Sequence, residues 1–274
     1  MKANGNSLRK YFSFFRMRFQ MGLQYRAAAA GGCVTQFLWG IMECLAFRAF
    51  YEADESAFPM AFSSVVAYVW LREAFFALFT TWNTDNELFD SVINGNIAYE
   101  LCRPLSVYRM WFARTAGNRL ANAALRCVPI LFAAFLLPEP FRMTLPVNVQ
   151  SMLLFIITMF LGAGVTVAFC MFVYLLAFFT ISPQGLRMVF TAMVQFLSGA
   201  IIPLSFMPDS VRRVLELLPF AGMFNVPLRI YSGDLVGAKM LRAIGMQIFW
   251  LVLLTACGKL LCRAAERRIV VQGG

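Results

Sequence analysis

The sequence predicts an all-α integral membrane protein with six transmembrane helices. Charged residues make up 14% of the chain and hydrophobic ones 60%, with a mean hydropathy of +0.68; a soluble domain carries about a quarter charged residues. Largely apolar windows of about 20 residues, the length a helix needs to cross hydrocarbon, fall at residues 27–50, 60–82, 120–137, 149–180, 186–207 and 240–261. The blocks are unbroken, whereas a transmembrane barrel would show segments of about ten residues in strict alternation.

Charge sets the orientation. Lys2, Arg9, Lys10, Arg16, Arg18 and Arg26 precede the first span with no acid among them, so the positive-inside rule puts the N-terminus in the cytoplasm. Six spans return the C-terminus to the same side. On that topology the whole formal surplus of +10 falls inside and the outer segments balance. A basic inner face implies anionic lipid headgroups as partners rather than nucleic acid.

Residues 1–26 lack the short apolar core and small-residue cleavage site of a secretory leader, so the first span is expected to be retained. Tyr11, Phe12, Phe15, Phe19 and Leu23 alternate with basic residues there, the composition of an amphipathic helix lying in the membrane interface. A basic flank that only sets topology explains the same residues.

Away from their ends the predicted spans carry four charges: Glu43 in the first, Arg72 and Glu73 in the second and Arg126 in the third. A charge at mid-membrane costs about 2.5–3.5 kcal/mol on lenient scales, so each needs a partner or water. None has an opposite charge three or four residues away, and Arg72 and Glu73 point about 100° apart on a helix. Pairing is therefore expected between helices. The group either lines a polar path or forms a structural salt bridge.

The fourth window is long: about 30 residues run roughly 45 Å against a hydrocarbon core of about 30 Å. Its Gly162-Ala163-Gly164 run, with Ala168 one turn on, predicts a small-residue face for close helix contact. Ser182-Pro183-Gln184-Gly185 predicts a tight inner turn. The fifth window ends at Gly199 and the prolines Pro203 and Pro208, which stop a regular helix early. Residues 203–234 then read as a re-entrant outer cap or as an ordinary interfacial loop.

Between the second and third windows lies the longest polar interruption assigned to the cytoplasm, residues 83–118. Leu88, Phe89, Val92, Ile93 and Ile97 form a helical apolar stripe, with Asp85, Glu87, Asp90 and Asn94 on the polar side. Gly95 is placed to break the helix and Pro104 to begin the next turn.

The seven cysteines form no C-x-x-C pair, which argues against a disulfide framework or a zinc site. The chain has no histidine, removing imidazole catalysis and the commonest metal ligand. No catalytic or metal-binding residue is expected.

Taken in order, six spans with both ends inside, the amphipathic N-terminus, Gly95-x-Ile97-x-x-x-Leu101-x-Arg103-Pro104-Leu105 after the second span, Gly199-Ala200-Ile201-Ile202-Pro203-Leu204-Ser205-Phe206-Met207-Pro208 after the fifth, Leu218-Pro219-Phe220 beyond it and the terminal Val271-Gln272-Gly273-Gly274 resemble the permease subunits of ABC-2-type (type V exporter-like) transporters. The likeness is to the viologen or multidrug exporter branch and covers nearly the whole chain. It implies two permeases, identical or sister subunits, working with two separate ATP-binding-cassette subunits in a bacterial inner membrane. ATP and Mg would be bound there and no cofactor by this chain, which has no G-x-x-x-x-G-K-[ST] phosphate loop.

The resemblance also implies roles. Residues 86–105 would be the coupling helix that docks on the ATPases, with Leu88, Phe89, Val92, Gly95, Ile97, Leu101, Arg103 and Pro104 its contacts. The second and fifth spans would line the path at a dimer interface, through Tyr68, Arg72, Phe76, Phe79, Gln195, Phe196 and Gly199. Aromatic residues with few polar groups suit an amphiphile or an aromatic cation. A secondary transporter with Glu43 or Glu73 as a proton site is the first alternative, and a lipid-modifying membrane enzyme the second.

Overall fold

A computed structural model describes residues 4–81, 85–180 and 182–267. Lys2, Trp82, Asn83, Arg268 and the terminal Val271-Gln272-Gly273-Gly274 lie outside the described residues. The described chain is helical: α1 (Asn4–Gly22), α2 (Arg26–Ala53), α3 (Phe62–Ala74), α4 (Phe76–Phe79), α5 (Asn86–Ile93), α6 (Ile97–Leu101), α7 (Val107–Leu136), α8 (Val149–Leu176), α9 (Pro183–Leu197), α10 (Asp209–Leu215), α11 (Asn225–Tyr231) and α12 (Gly237–Glu266).

Among the described residues four helices are long and apolar enough to cross a membrane: α2, α7, α8 with its 3-10 extension to Phe179, and α12. The second and fifth predicted spans are shorter than expected. At 1.5 Å per residue the 13 residues of α3 and the 15 of α9 run about 20 and 22 Å, below a hydrocarbon core of about 30 Å.

Each short helix stops for a visible reason. The ladder of α3 is interrupted at Phe75, and α4 adds one further turn. The freed carbonyls are capped from another helix: Arg119 of α7 donates to Leu78 O (3.1 Å) and Thr80 O (2.6 Å), and its other terminal nitrogen lies 3.1 Å from Cys170 Sγ. Helix α9 ends at Ser198, followed by Gly199 at φ +79°, a left-handed value that glycine adopts without a Cβ clash.

Two buried elements form the centre. Helix α8 is buried along most of its length, whereas α2 and α12 leave most of theirs at the surface. Residues Val65 to Ala74 of α3 are all buried, so this helix sits inside the bundle despite its length. It packs on α2 and α7, while α8 packs on α11 and α12.

Small residues set two of these contacts. A Cβ on Gly162 would lie 2.6 Å from Met223 O and one on Gly164 3.1 Å from Leu251. The expected single small-residue face is therefore two. Gly162 admits the backbone before α11 and Gly164 admits α12, because neighbouring positions point about 100° apart per residue. Gln247, fully buried, fastens the same junction by donating to Gly222 O (2.7 Å) and Thr158 O (3.1 Å).

Helix α7 begins at Val107, well before the predicted span at 120. Arginines at 109, 114 and 119 lower the hydropathy without interrupting the helix. Helix α1 packs along this first half of α7: a Cβ on Gly117 would strike Phe15 O at 2.6 Å, and Ser106 N donates to Tyr11 Oη at 3.0 Å. The amphipathic N-terminus is thus docked on the protein, with Phe12, Met17 and Met21 left exposed.

Candidate functional site

The predicted coupling segment folds as α5 and α6, joined at Asn94–Asn96. Asp85 caps α5, its carboxylate accepting from Glu87 N (3.2 Å). Gly95 takes φ +72° at the corner between the helices, with open space where a Cβ would stand.

The pair is clamped to the bundle at both ends. Arg114 of α7 donates from Nε and Nη2 to the two oxygens of Asp85 at 2.5 and 2.9 Å, the two-pronged geometry that makes guanidinium–carboxylate pairs strong. Asp85 N donates to the hydroxyl of Tyr174 at 2.7 Å, and the Tyr174 ring meets Phe89 edge-on at 5.0 Å. At the other end the Trp111 indole donates to the Glu100 carboxylate. Arg187 of α9 reaches Asn86 Oδ1 at 2.9 Å. Glu87 bonds Arg18 of α1 (2.8 Å) and Arg114. The Arg18 hydrogen bond is the main reason its carboxyl lies below the ordinary range, against a raising effect of partial burial, with Arg114 adding to the lowering.

The segment therefore has two faces. Leu88, Phe89 and Ile97 are buried, and Val92 and Leu101 pack against the same core. Gly95, Arg103 and Pro104 are exposed, as are Ile93 (59%) and Tyr99 (76%). Apart from Ile93, the apolar stripe legible in the sequence thus faces the chain's own bundle. The exposed surface includes Ile93, the Gly95 corner, Tyr99, Arg103 and Pro104, with the Arg103 guanidinium 6.0 Å from the Phe14 ring centroid. A cavity of about 490 Å³ opens beside it, between Val92 and Ile93 on one wall and Phe178, Ser182 and Gln184 of the α8–α9 turn on the other.

A second polar site lies where α3 meets the end of α9. Arg72 donates to Glu43 of α2, to its neighbour Glu73 (2.5 Å) and to Ala200 O (2.6 Å). Tyr68 donates to Gly199 O at 2.9 Å. Arg72 and Glu73 are buried, and Glu43, at 24% side-chain exposure, is where the cluster reaches the surface. The expectation that pairing runs only between helices is corrected: the long guanidinium arm bends back to its sequence neighbour. Arg126 is no part of this cluster; its guanidinium abuts Gly32 of α2.

Of the residues expected along a path, the structure brings Tyr68, Arg72 and Gly199 together. Phe79 is buried against Phe224, with ring centroids 4.9 Å apart, and the interruption at Phe75 removes the continuous face expected to join Tyr68 to Phe76 and Phe79. Gln195 is half-buried and Phe196 is 67% exposed, on α9 with Met188 and Val189. Because α3 is enclosed by its own chain, Tyr68 and Arg72 face the interior of one subunit, whereas the exposed face of α9 is open to a neighbour.

Sequence reasoning missed two buried cations. Arg119, which the six-span topology puts at the inner surface, is 3% exposed, and Arg229, which it puts outside, is 7% exposed and holds Glu216 (2.7 Å) and Asp234. Neither sits in an apolar window, so hydropathy gave no signal. The charge pattern Glu216–Arg229–Asp234 was the only hint for the second.

Four helices long and apolar enough to cross a membrane, a clamped helix pair and a buried ion cluster fit a multi-pass membrane protein. Residues 37–273 match the family of ABC-2 family transporter proteins, and the chain belongs to that family. No curated protein matches it.

Proposed function

We propose that the chain is the permease subunit of an ATP-driven exporter. Two copies, or one with a sister subunit, move a hydrophobic or amphiphilic drug-, peptide- or lipid-like substrate out of the cytoplasm by alternating access. Hydrolysis of ATP with Mg takes place on two separate ATP-binding-cassette subunits, and both termini of this chain lie inside a bacterial cytoplasmic membrane. The observation that carries the reading is the α5–α6 pair: rigidly tied through Asp85–Arg114, yet free along Ile93, Tyr99, Arg103 and Pro104 beside a hollow of about 490 Å³.

The residues of the segment divide the work. Leu88, Phe89, Val92, Ile97 and Leu101 transmit force because they are packed into the bundle. Gly95, Arg103 and Pro104, with Ile93 and Tyr99, receive it from the ATPase. The path runs past the Tyr68–Arg72–Gly199 junction and along the exposed α9 face at Gln195 and Phe196, with Phe76 and Phe79 behind it.

The test is reconstitution with the ATP-binding subunit. Inverted vesicles should accumulate substrate with ATP, and the permease alone should hydrolyse none. Robust hydrolysis by the chain alone overturns the reading. A second reading, a proton-coupled carrier, is favoured by one observation: two carboxylates share one guanidinium, leaving an excess acid that a proton can neutralise. Transport without ATP that collapses with the proton gradient would establish it.

A further inference from the structure

On the side predicted to face outward, α10 and the first half of α12 enclose a cavity of about 760 Å³. The spacing of the α12 residues that line it, 239, 242, 243, 246 and 250, is that of a single helical stripe. Lys239 and Arg242 stand at the mouth, while Ala243, Met246 and Trp250 lead inward. From Lys239 to Trp250 the stripe runs about 16 Å at 1.5 Å per residue, close to half of a hydrocarbon core of about 30 Å. The Trp250 indole ties this end of the stripe to the facing wall by donating to Leu217 O at 2.9 Å.

The charges lining the cleft, the buried Arg229 among them, do not cancel. Arg229 holds both Glu216 and Asp234, and Arg212 pairs with Asp209. Arg213, Lys239 and Arg242 are exposed and have no carboxylate within ion-pair distance among the described residues. The first turn of α12 adds to the positive field, since Val236 offers no side-chain cap to its N–H groups. Leu217, 46% exposed, gives the α10 side of the cleft an apolar edge, with the exposed Val214 (60%) close by in the chain, so a chain can enter from the side.

A cationic mouth, an apolar floor along α12 about one leaflet deep and an apolar edge at Leu217 match one chemistry. We propose that this cleft binds an anionic phospholipid of the outer leaflet. Its phosphodiester lies among Arg213, Lys239 and Arg242, and one acyl chain runs along Ala243 and Met246 to Trp250. The site is distinct from the export path, and the proposal stands whether or not the chain works with an ATPase. It does rest on the outward placement of the α12 N-terminus.

The test is quenching of Trp250 emission, assigned by difference from W250F, in nanodiscs carrying phospholipids with brominated acyl chains. Phosphatidylglycerol should quench at about tenfold lower mole fraction than phosphatidylcholine, the scale expected for a few basic groups at a membrane surface. R213Q/K239Q/R242Q should remove that preference. M246F, which fills the floor and leaves the charges, should reduce quenching by both lipids. R142Q, an exposed arginine on the same predicted side, should change nothing. Equal quenching by the two lipids, a preference that survives the triple substitution, or an M246F protein that behaves as wild type overturns the proposal. Displacement by millimolar inorganic phosphate also overturns it, in favour of a small-anion site.

Discussion

Arg114 of α7 grips both oxygens of Asp85, the residue that caps α5, at 2.5 and 2.9 Å. The cap of the α5–α6 pair and its attachment to the bundle are therefore one side chain. Hydrogen bonds to charged partners contribute about 1.5–3 kcal/mol each. Arg114→Gln should loosen α5 by that order and lower ATP-driven transport several-fold while the chain still inserts. A double-mutant cycle with Asp85→Asn should show coupling between the two sites, and strict additivity would disprove the clamp.

The two faces of the helix pair let folding and the proposed docking be tested separately. Ile93→Asp and Tyr99→Ala alter exposed positions, so thermal stability in detergent should be unchanged while co-purification with the ATP-binding subunit is lost. Leu88→Ala removes a buried side chain and should cost about 2–5 kcal/mol, read as a lower melting temperature. If Leu88→Ala left stability intact but abolished docking, the assignment of the faces would be reversed.

Removing the guanidinium of Arg72 leaves two carboxylates facing each other. Breaking a buried pair by deleting one partner costs about 3–5 kcal/mol, so Arg72→Met should be among the least stable single variants. Adding Glu73→Leu to it should recover part of the loss. Glu43→Gln should be mild, because that carboxyl already reaches the surface. Melting temperatures of the three proteins decide the matter.

Glu87 links pH to the contact between α1 and α5. Its folded pKa is lowered, chiefly by the Arg18 hydrogen bond, so its contribution is full above the ordinary value near 4.5 and is lost as pH falls below that value through the lowered one. The carboxyl is largely exposed, which keeps the effect small. Hydrogen exchange of α1 and α5 should accelerate in that acid window in the native protein and lose this dependence in Glu87→Gln.

A Cβ on Gly162 would meet backbone oxygen, not the end of a flexible side chain, so relief requires moving the segment before α11. Gly162→Leu should lower the melting temperature by several degrees or prevent accumulation of the protein. Gly31→Ala, where no atom lies within 4 Å of the added carbon, serves as the matched control.

Much of this architecture is written in hydropathy. The windows at 27–50, 149–180 and 240–261 fall on α2 (Arg26–Ala53), α8 with its extension and α12 (Gly237–Glu266). Hydropathy reports solvent and not helix, so the arginine-bearing first half of α7 was assigned to a polar segment. The early end of α4 depends on Arg119, some forty residues away in sequence, and no local pattern encodes that. The α5 stripe was legible as amphipathic, yet periodicity is silent on whether an apolar face meets its own bundle or a partner. The Tyr68–Gly199 contact joins two predicted path spans, whereas the buried state of Arg119 and Arg229 needed the fold to be seen.

Helix α7 carries both the clamp on α5 and the cap on α4. Arg114 and Arg119 stand five residues apart, about 7.5 Å along a continuous helix and about one and a half turns. A displacement applied at the α5–α6 pair would reach α4 through a single stiff connecting rod, with no loop between the two to absorb the stroke.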